Sequence, residues 1–139
     1  MKLITNQKGS AAVEFAIIFP LLMVLAFGII EFSVLLYNKA MITNASREGA
    51  RSGIVFADPR VSNTDITNVI HHYCSNSLIT FGSANIPIVT ISRSGAGTEP
   101  GDNLTVSVQY HYDFLVLPNL IENLMTGLDL TATTVMRME

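Results

Sequence analysis

The chain has no tryptophan and a single cysteine, Cys74, so an internal disulfide is excluded and any folded part rests on packing alone. Charge is also scarce. Only 14% of residues are charged and the net charge is −3, which leaves no basic face for a nucleic acid. Metal-ligating side chains are too few and badly spaced. His71 and His72 are adjacent, so on a helix they point about 100° apart. Only His71 and Cys74 share a face there, and His111 is the one other histidine, whereas a zinc site takes three or four ligands. The same Cys74 and His71 would pair as nucleophile and base, but no orienting acid or oxyanion donor accompanies them. Gly95-Ala96-Gly97 lies between two strand-like segments instead of opening a helix, so a phosphate cradle has no support. The expectation is a protein that is not an enzyme and takes no metal or cofactor.

What the chain does have is one long apolar run, Phe15 to Tyr37, with a single charge in it, Glu31. As a helix it measures roughly 34 Å, enough to cross a hydrocarbon core of about 30 Å. A cleaved secretory signal has a shorter apolar region followed by a small-residue cleavage site, and Tyr37-Asn38-Lys39-Ala40 is a poor one. A buried core helix is rarely apolar on all sides over such a length. A membrane span over residues 10–37 is the preferred reading, with membrane lipid as its first partner. Flanking charges do not orient it: Lys2 and Lys8 stand on one side, and Lys39, Arg47 and Arg51 on the other. The short basic segment before the run and the large polar remainder favour a cytoplasmic N-terminus and a translocated domain, residues 38–139.

The helical pattern does not stop at Tyr37. Met41, Ala45, Gly49 and Gly53 follow at four-residue spacing, giving one helix over about residues 10–54, half in lipid and half beyond it. Pro20 inside it removes a backbone bond and should kink it. Ala45, Gly49 and Gly53 form a helix-packing face, open either to another backbone or to this domain's own sheet. Arg47, Glu48 and Arg51 read as a solvated face, or as a contact for lipid headgroups or a partner. Ala57-Asp58-Pro59 breaks the helix. Ser62-Asn63-Thr64-Asp65 reads as a capping box opening a second helix, with Ile66, Val69, Ile70, Tyr73, Ser77 and Leu78 on one stripe, ending near Thr80 before Gly82. Alternation then takes over in three strands: Ile86–Ser92, Leu104–Tyr112 and Leu128–Met138. A short helix is expected over Asn119–Met125. The fold class is α+β, with a small antiparallel sheet packed on the outer half of the long helix.

Two carboxylates sit in or beside the apolar run, where a charge near the bilayer centre costs about 2.5–3.5 kcal/mol. Glu31 lies near the outer end and is expected to snorkel toward water. Glu14 falls in the expected first turn of the helix, where the dipole favours an acid. That explains neither the glycine five residues before it nor the phenylalanine after it. Gly9, then Ser10-Ala11-Ala12-Val13, then Glu14-Phe15 resembles a type IV prepilin-type leader. Ala11 to Ala16, Phe19-Pro20-Leu21-Leu22, Phe27 to Phe32 and Asn44 to Arg51 are more specifically similar to the TadE-like proteins, minor pilins (pseudopilins) of the tight-adherence, or Flp, pilus system. The resemblance implies a leader over residues 1–9, cut by a prepilin peptidase between Gly9 and Ser10, with Glu14 and Phe15 in peptidase recognition and assembly. It implies a type IV pilin-like fold, a single-pass inner-membrane protein with a periplasmic domain, and as partners other pilin subunits and the inner-membrane assembly machinery. The implied function is support of a pilus for surface attachment. The alternative is a membrane-anchored extracytoplasmic binding domain that never joins a filament.

Overall fold

The computed structural model describes residues 7–81, 85–95, 100–115 and 127–139. The expected helix over Asn119–Met125, and Gly82 beyond the second helix, lie outside the described residues. The architecture is α+β: a long helix α1 (Gln7–Ile54), a second helix α2 (Asn63–Ser77), and strands β1 (Ile88–Arg93), β2 (Asn103–Tyr112) and β3 (Leu128–Arg137). The strands form one antiparallel sheet in the order β1-β2-β3. Leu104 pairs with Met136 and Tyr112 with Leu128, so β2 and β3 run in register over their full lengths.

The helix α1 is one element of 48 residues because nothing between residues 7 and 54 breaks it. It passes through Pro20, whose ring removes the N–H that would have bonded the Ala16 carbonyl. It also begins three residues earlier than expected. Glu14 therefore lies about two turns inside the helix, and the first turn carries no acid. This corrects the expectation that placed Glu14 in the first turn, and with it the dipole explanation for that residue, for the chain as it stands here.

Alternation in β2 places Leu104, Val106, Val108, Tyr110 and Tyr112 on one buried face, with Leu130 and Ala132 of β3 beside them. That face packs on α1 beyond its apolar half, through Ile42, Ala45 and Ala50, and Ile66, Ile70 and Cys74 of α2 complete the core. Each fully buried isoleucine contributes about 1.5–3 kcal/mol by leaving water. The start of α2 follows from its cap: Ser62 Oγ accepts from the Asp65 N–H at 3.1 Å and donates to the Asp65 carboxylate at 2.7 Å. Its end comes at Ser77, three residues short of the expected Thr80. The reason is Asn38, a fully buried side chain of α1. Its amide donates to the Ile79 carbonyl at 2.8 Å and accepts from the Ile79 N–H at 3.0 Å, as a neighbouring strand would. Ile79 therefore has its backbone partners on α1, and Leu78 turns extended as the cap.

The small residues of α1 have a definite use. A Cβ at Gly49 would lie 2.5 Å from Ile70 Cδ1, and one at Gly53 would lie 2.6 Å from both Ile66 Cδ1 and Leu104 Cδ2. Of the two alternatives for the face Ala45, Gly49 and Gly53, the structure shows packing within the domain, against α2 and β2. Gly53→Ala should overpack this three-element junction and lower stability by about 1–3 kcal/mol. Thermal unfolding of the full-length protein in detergent, followed by circular dichroism, checks it. Gly28→Ala, whose added methyl meets nothing within 4 Å, should leave the midpoint unchanged or raised.

Candidate functional site

The first half of α1 is apolar and unaccompanied. None of its most apolar 18-residue stretch is buried, and Phe15, Ile18, Leu21, Leu22 and Leu25 are exposed around its circumference. It is the one helix among the described residues long and apolar enough to span a membrane. Within it, Ser33 Oγ donates to the Ile29 carbonyl at 2.7 Å, so that hydroxyl is satisfied inside the helix.

The N-terminal constellation is laid out along this exposed rod. A Cβ at Gly9 would meet nothing within 4 Å, so packing gives no reason for glycine there, although glycine weakens a helix by about 0.5–1 kcal/mol against alanine. The Gly9–Ser10 bond lies in the opening turn, where the first four N–H groups lack helical partners and the end frays. Glu14 is exposed, and Ser10 Oγ donates to its Oε1 at 3.3 Å, one turn below. Phe15 stacks at a tilt on Phe19, with ring centroids 5.3 Å apart. None of these side chains contacts the sheet or α2.

Glu31 differs. It is 3% exposed, although all but three of the residues from Gly9 to Ile30 are exposed. Tyr112 Oη donates to Glu31 Oε1 at 2.6 Å, and the Leu115 N–H donates to both carboxylate oxygens at 2.9 and 3.0 Å. The expectation that Glu31 snorkels to water is therefore corrected: the end of β2 folds over the carboxylate and supplies its donors. Burial first, and then the hydrogen bond to Glu31, push the Tyr112 hydroxyl well above the usual tyrosine range, which keeps it a donor. Phe114 meets the Tyr112 ring edge-on at 5.6 Å and helps hold it. Sequence reasoning missed both Tyr112 and Asn38. Tyr112 read as one more inward residue of an alternating strand, and Asn38 as the polar end of the apolar run.

Higher on α1, Lys39 Nζ donates to the Thr131 carbonyl, and buried Ser46 shares a hydrogen bond with Thr134 Oγ1 at 2.7 Å. Arg47 and Arg51 are exposed and stand about 15 and 21 Å beyond Tyr37 along the axis. The other candidate group lies apart from all this. His71 and Cys74 line an open cavity of about 310 Å³ with Asn85, Ile86 and Pro87. His71 Nε2 is 3.1 Å from the Pro87 carbonyl, to which it donates. Burial pushes the Cys74 thiol up to about 11, against the thiolate that nucleophilic chemistry needs. Among the described residues no three histidine, cysteine or acidic side chains converge on a metal position.

Fold and site together define an α+β domain built directly on the outward continuation of a helix able to span a membrane. Residues 9–51, which include the apolar run and the start of the domain's helical spine, match the family model described as TadE-like protein. The match covers under half of the chain, and over that segment the chain is similar to that family. No curated protein and no solved structure matches the chain.

Two predictions follow from the buried groups. Tyr112→Phe deletes one donor to Glu31 and should cost about 1–3 kcal/mol. In a double-mutant cycle with Glu31→Gln the two losses should fall short of additive, because they remove one shared interaction. Denaturant titration of the purified full chain measures both. The second concerns pH. The Cys74 thiol binds its proton more tightly folded than unfolded, so stability is intact below pH 9.0 and declines as pH rises toward about 11. The fall in unfolding midpoint across that window should be shallower in Cys74→Ala than in the unaltered protein.

Proposed function

We propose that this chain is a minor pilin of a tight-adherence pilus, held in a bacterial inner membrane by the first half of α1. In this reading a prepilin peptidase removes residues 1–9 and the protein supports pilus assembly for surface attachment. The observation that carries the reading is the coincidence of the family match over residues 9–51 with a helix half whose most apolar stretch is nowhere buried among the described residues. A helix that only anchored a domain would need length and apolarity. It would not need a glycine without a packing role five residues before a carboxylate.

The reading supplies a use for each of these residues. Gly9 lets the backbone open for the peptidase at a fraying helix end. Cleavage leaves Ser10 as a new amine, and Glu14 then stands in the first turns of the shortened helix, where the dipole favours it. In lipid, Glu14 pairs with the terminal amine of a neighbouring subunit. That pair offsets the burial cost of both charges and rewards one axial register. The domain, fixed on the same rigid helix, is carried to a defined place beside its neighbours. Partners are the peptidase, other pilin subunits and the membrane assembly machinery.

Intact-mass measurement of the protein from cells with and without the peptidase tests the processing step. The mature chain is expected to begin at Ser10, and Gly9→Val should leave the precursor uncut. An uncut chain in unaltered cells would favour a plain anchored domain outside any filament. Glu14→Ala should still be cut but should lower surface piliation severely, scored by shear-fraction immunoblot. Normal piliation in that variant would remove the pairing role.

A further inference from the structure

We propose that a second copy of this chain docks beside the domain half of α1, displaced by one helical turn, with Arg51 of one copy seated in a cavity lined by Glu48 of the other. The inference rests on the reading above that α1 holds every copy upright in one membrane, so that neighbouring helices run parallel.

The surface concerned is the part of α1 that its own domain leaves uncovered. The sheet and α2 cover Ile42, Ala45, Gly49 and Gly53, whereas Arg47, Glu48 and Arg51 are exposed. Among the described residues none of these three charges makes an ion pair, although Glu48 and Arg51 lie about one turn apart. Glu48 lines an open cavity of about 460 Å³ with Asn68, Val69, His72 and Tyr73. That cavity lies between α1 and α2, which run antiparallel, since Gly49 meets Ile70 and Gly53 meets Ile66. It opens on the flank of α2 away from β1. His71, about 200° round the helix from Tyr73, takes the other flank and bonds the Pro87 carbonyl just before β1.

A carboxylate, an aromatic ring and a side-chain amide around an apolar wall form a socket for a guanidinium. The carboxylate accepts from the planar fork, and the ring offers its face to the cation. A lipid phosphate is disfavoured there, because Glu48 repels it. Arg51 of the same chain does not line the cavity. Each copy therefore carries an acidic socket and, one turn further along α1, an arginine without a countercharge.

Charge also sets the step between copies. Two parallel helices placed level would oppose Arg47 to Arg47 and Arg51 to Arg51, which is repulsive. A displacement of three or four residues, about 4.5–6 Å, brings Arg51 of one copy to Glu48 of the other. The inner ends ask independently for four, because Glu14 of one copy meets the Ser10 amine of the next. Displaced by four, Arg51 stands level with residue 47 of its neighbour, about 1.5 Å from the height of Glu48. The sense of the displacement agrees too: the lower copy supplies Glu14 and Arg51, and the upper copy supplies Ser10 and Glu48. The two contacting faces differ, so the contact repeats from copy to copy and does not close a two-fold dimer.

The test uses two differently tagged full chains expressed together in a Cys74→Ser background, one with Glu48→Cys and the other with Arg51→Cys. Membranes are treated with a short bis-maleimide. The mixed pair should give several-fold more linked dimer than Arg51→Cys or Glu48→Cys against itself. Links that form best between matching positions place the helices level and overturn the proposal, as does the absence of a link in all three pairings. Without introduced cysteines, Arg51→Glu and Glu48→Arg should each lower the sheared pilus fraction about tenfold, and the two together should restore it. A combined variant no better than either single change overturns the pairing. Both side chains are exposed, so the unfolding midpoint should stay that of the parent in every variant. A chain that is cut at Gly9 and piliated but gives no link keeps the pilin reading and overturns this contact. A chain that links through positions 48 and 51 but retains residues 1–9 supports the contact and removes the processing step of that reading.

Discussion

The fold turns on a carboxylate placed where water cannot reach it easily. Glu31 interrupts an apolar run, and an acid there must find donors or carry a desolvation cost of several kcal/mol. The chain answers with Tyr112 Oη, at the end of β2, and the Leu115 N–H three residues beyond it. The consequence reaches beyond one residue. Glu31 is where cover on α1 begins, and from it a buried stripe climbs at helical spacing through Asn38, Ile42, Ala45, Gly49 and Gly53. The polar members of that stripe fix position. Glu31 takes the end of β2, Asn38 takes Ile79, and Ser46 takes Thr134 of β3. The apolar and small members fill the space between them. Slipping the sheet by one residue along α1 would leave buried polar groups at two heights without partners, so register is specified by the cost of error as well as by packing.

The four glycines of α1 separate the two surroundings through which it runs. Gly49 and Gly53 are required by close approach, since a methyl at either would sit within 2.6 Å of a core side chain. Gly9 and Gly28 have open space around them. Glycine's backbone freedom weakens a helix equally in both settings. In the domain half that loss is offset by the closeness of Ile66, Ile70 and Leu104. In the apolar half no close approach among the described residues offsets it. The first pair belongs to folding, and the second pair calls for an explanation outside the fold.

Much of this was legible in the sequence, because it is encoded locally. Uniform apolarity over Phe15–Tyr37, the Ser62 cap, and the alternation in β2 and β3 are statements about neighbours a few residues apart, and α1, α2 and the antiparallel sheet followed from them. What could not be read depends on distant pairing. Glu31 and Tyr112 are 81 residues apart, and nothing in either neighbourhood indicates that one seals the other. The end of α2 was misplaced for the same reason: its stripe continues to Leu78, but Asn38, 41 residues away, captures Ile79. The choice between two partners for the face Ala45, Gly49 and Gly53 was likewise undecidable from spacing, since small residues admit any close backbone. Only the position of Ile66 and Ile70 settles it.

The two carboxylates of the apolar region have opposite accounts. Glu31 is provided for by its own domain, and its chemistry is spent on holding the sheet to the helix. Glu14 is exposed, with one neutral hydroxyl, Ser10, within reach at 3.3 Å. A hydroxyl one turn away compensates an ionised acid in lipid only in part, because a charge in low dielectric asks for a countercharge or several donors. The domain cannot supply either, since it begins some 25 Å further along the helix, at Glu31. Under the proposed reading the missing countercharge is made by removing nine residues, which turns Ser10 from an amide into an amine at the same end of the rod. A subunit then carries one acid and one amine at its inner end. One turn apart, they can meet within a helix, and the same acid can equally meet the amine of the next helix. One acid would thus govern how the domain sits on its helix, and the other how the helix sits among its neighbours.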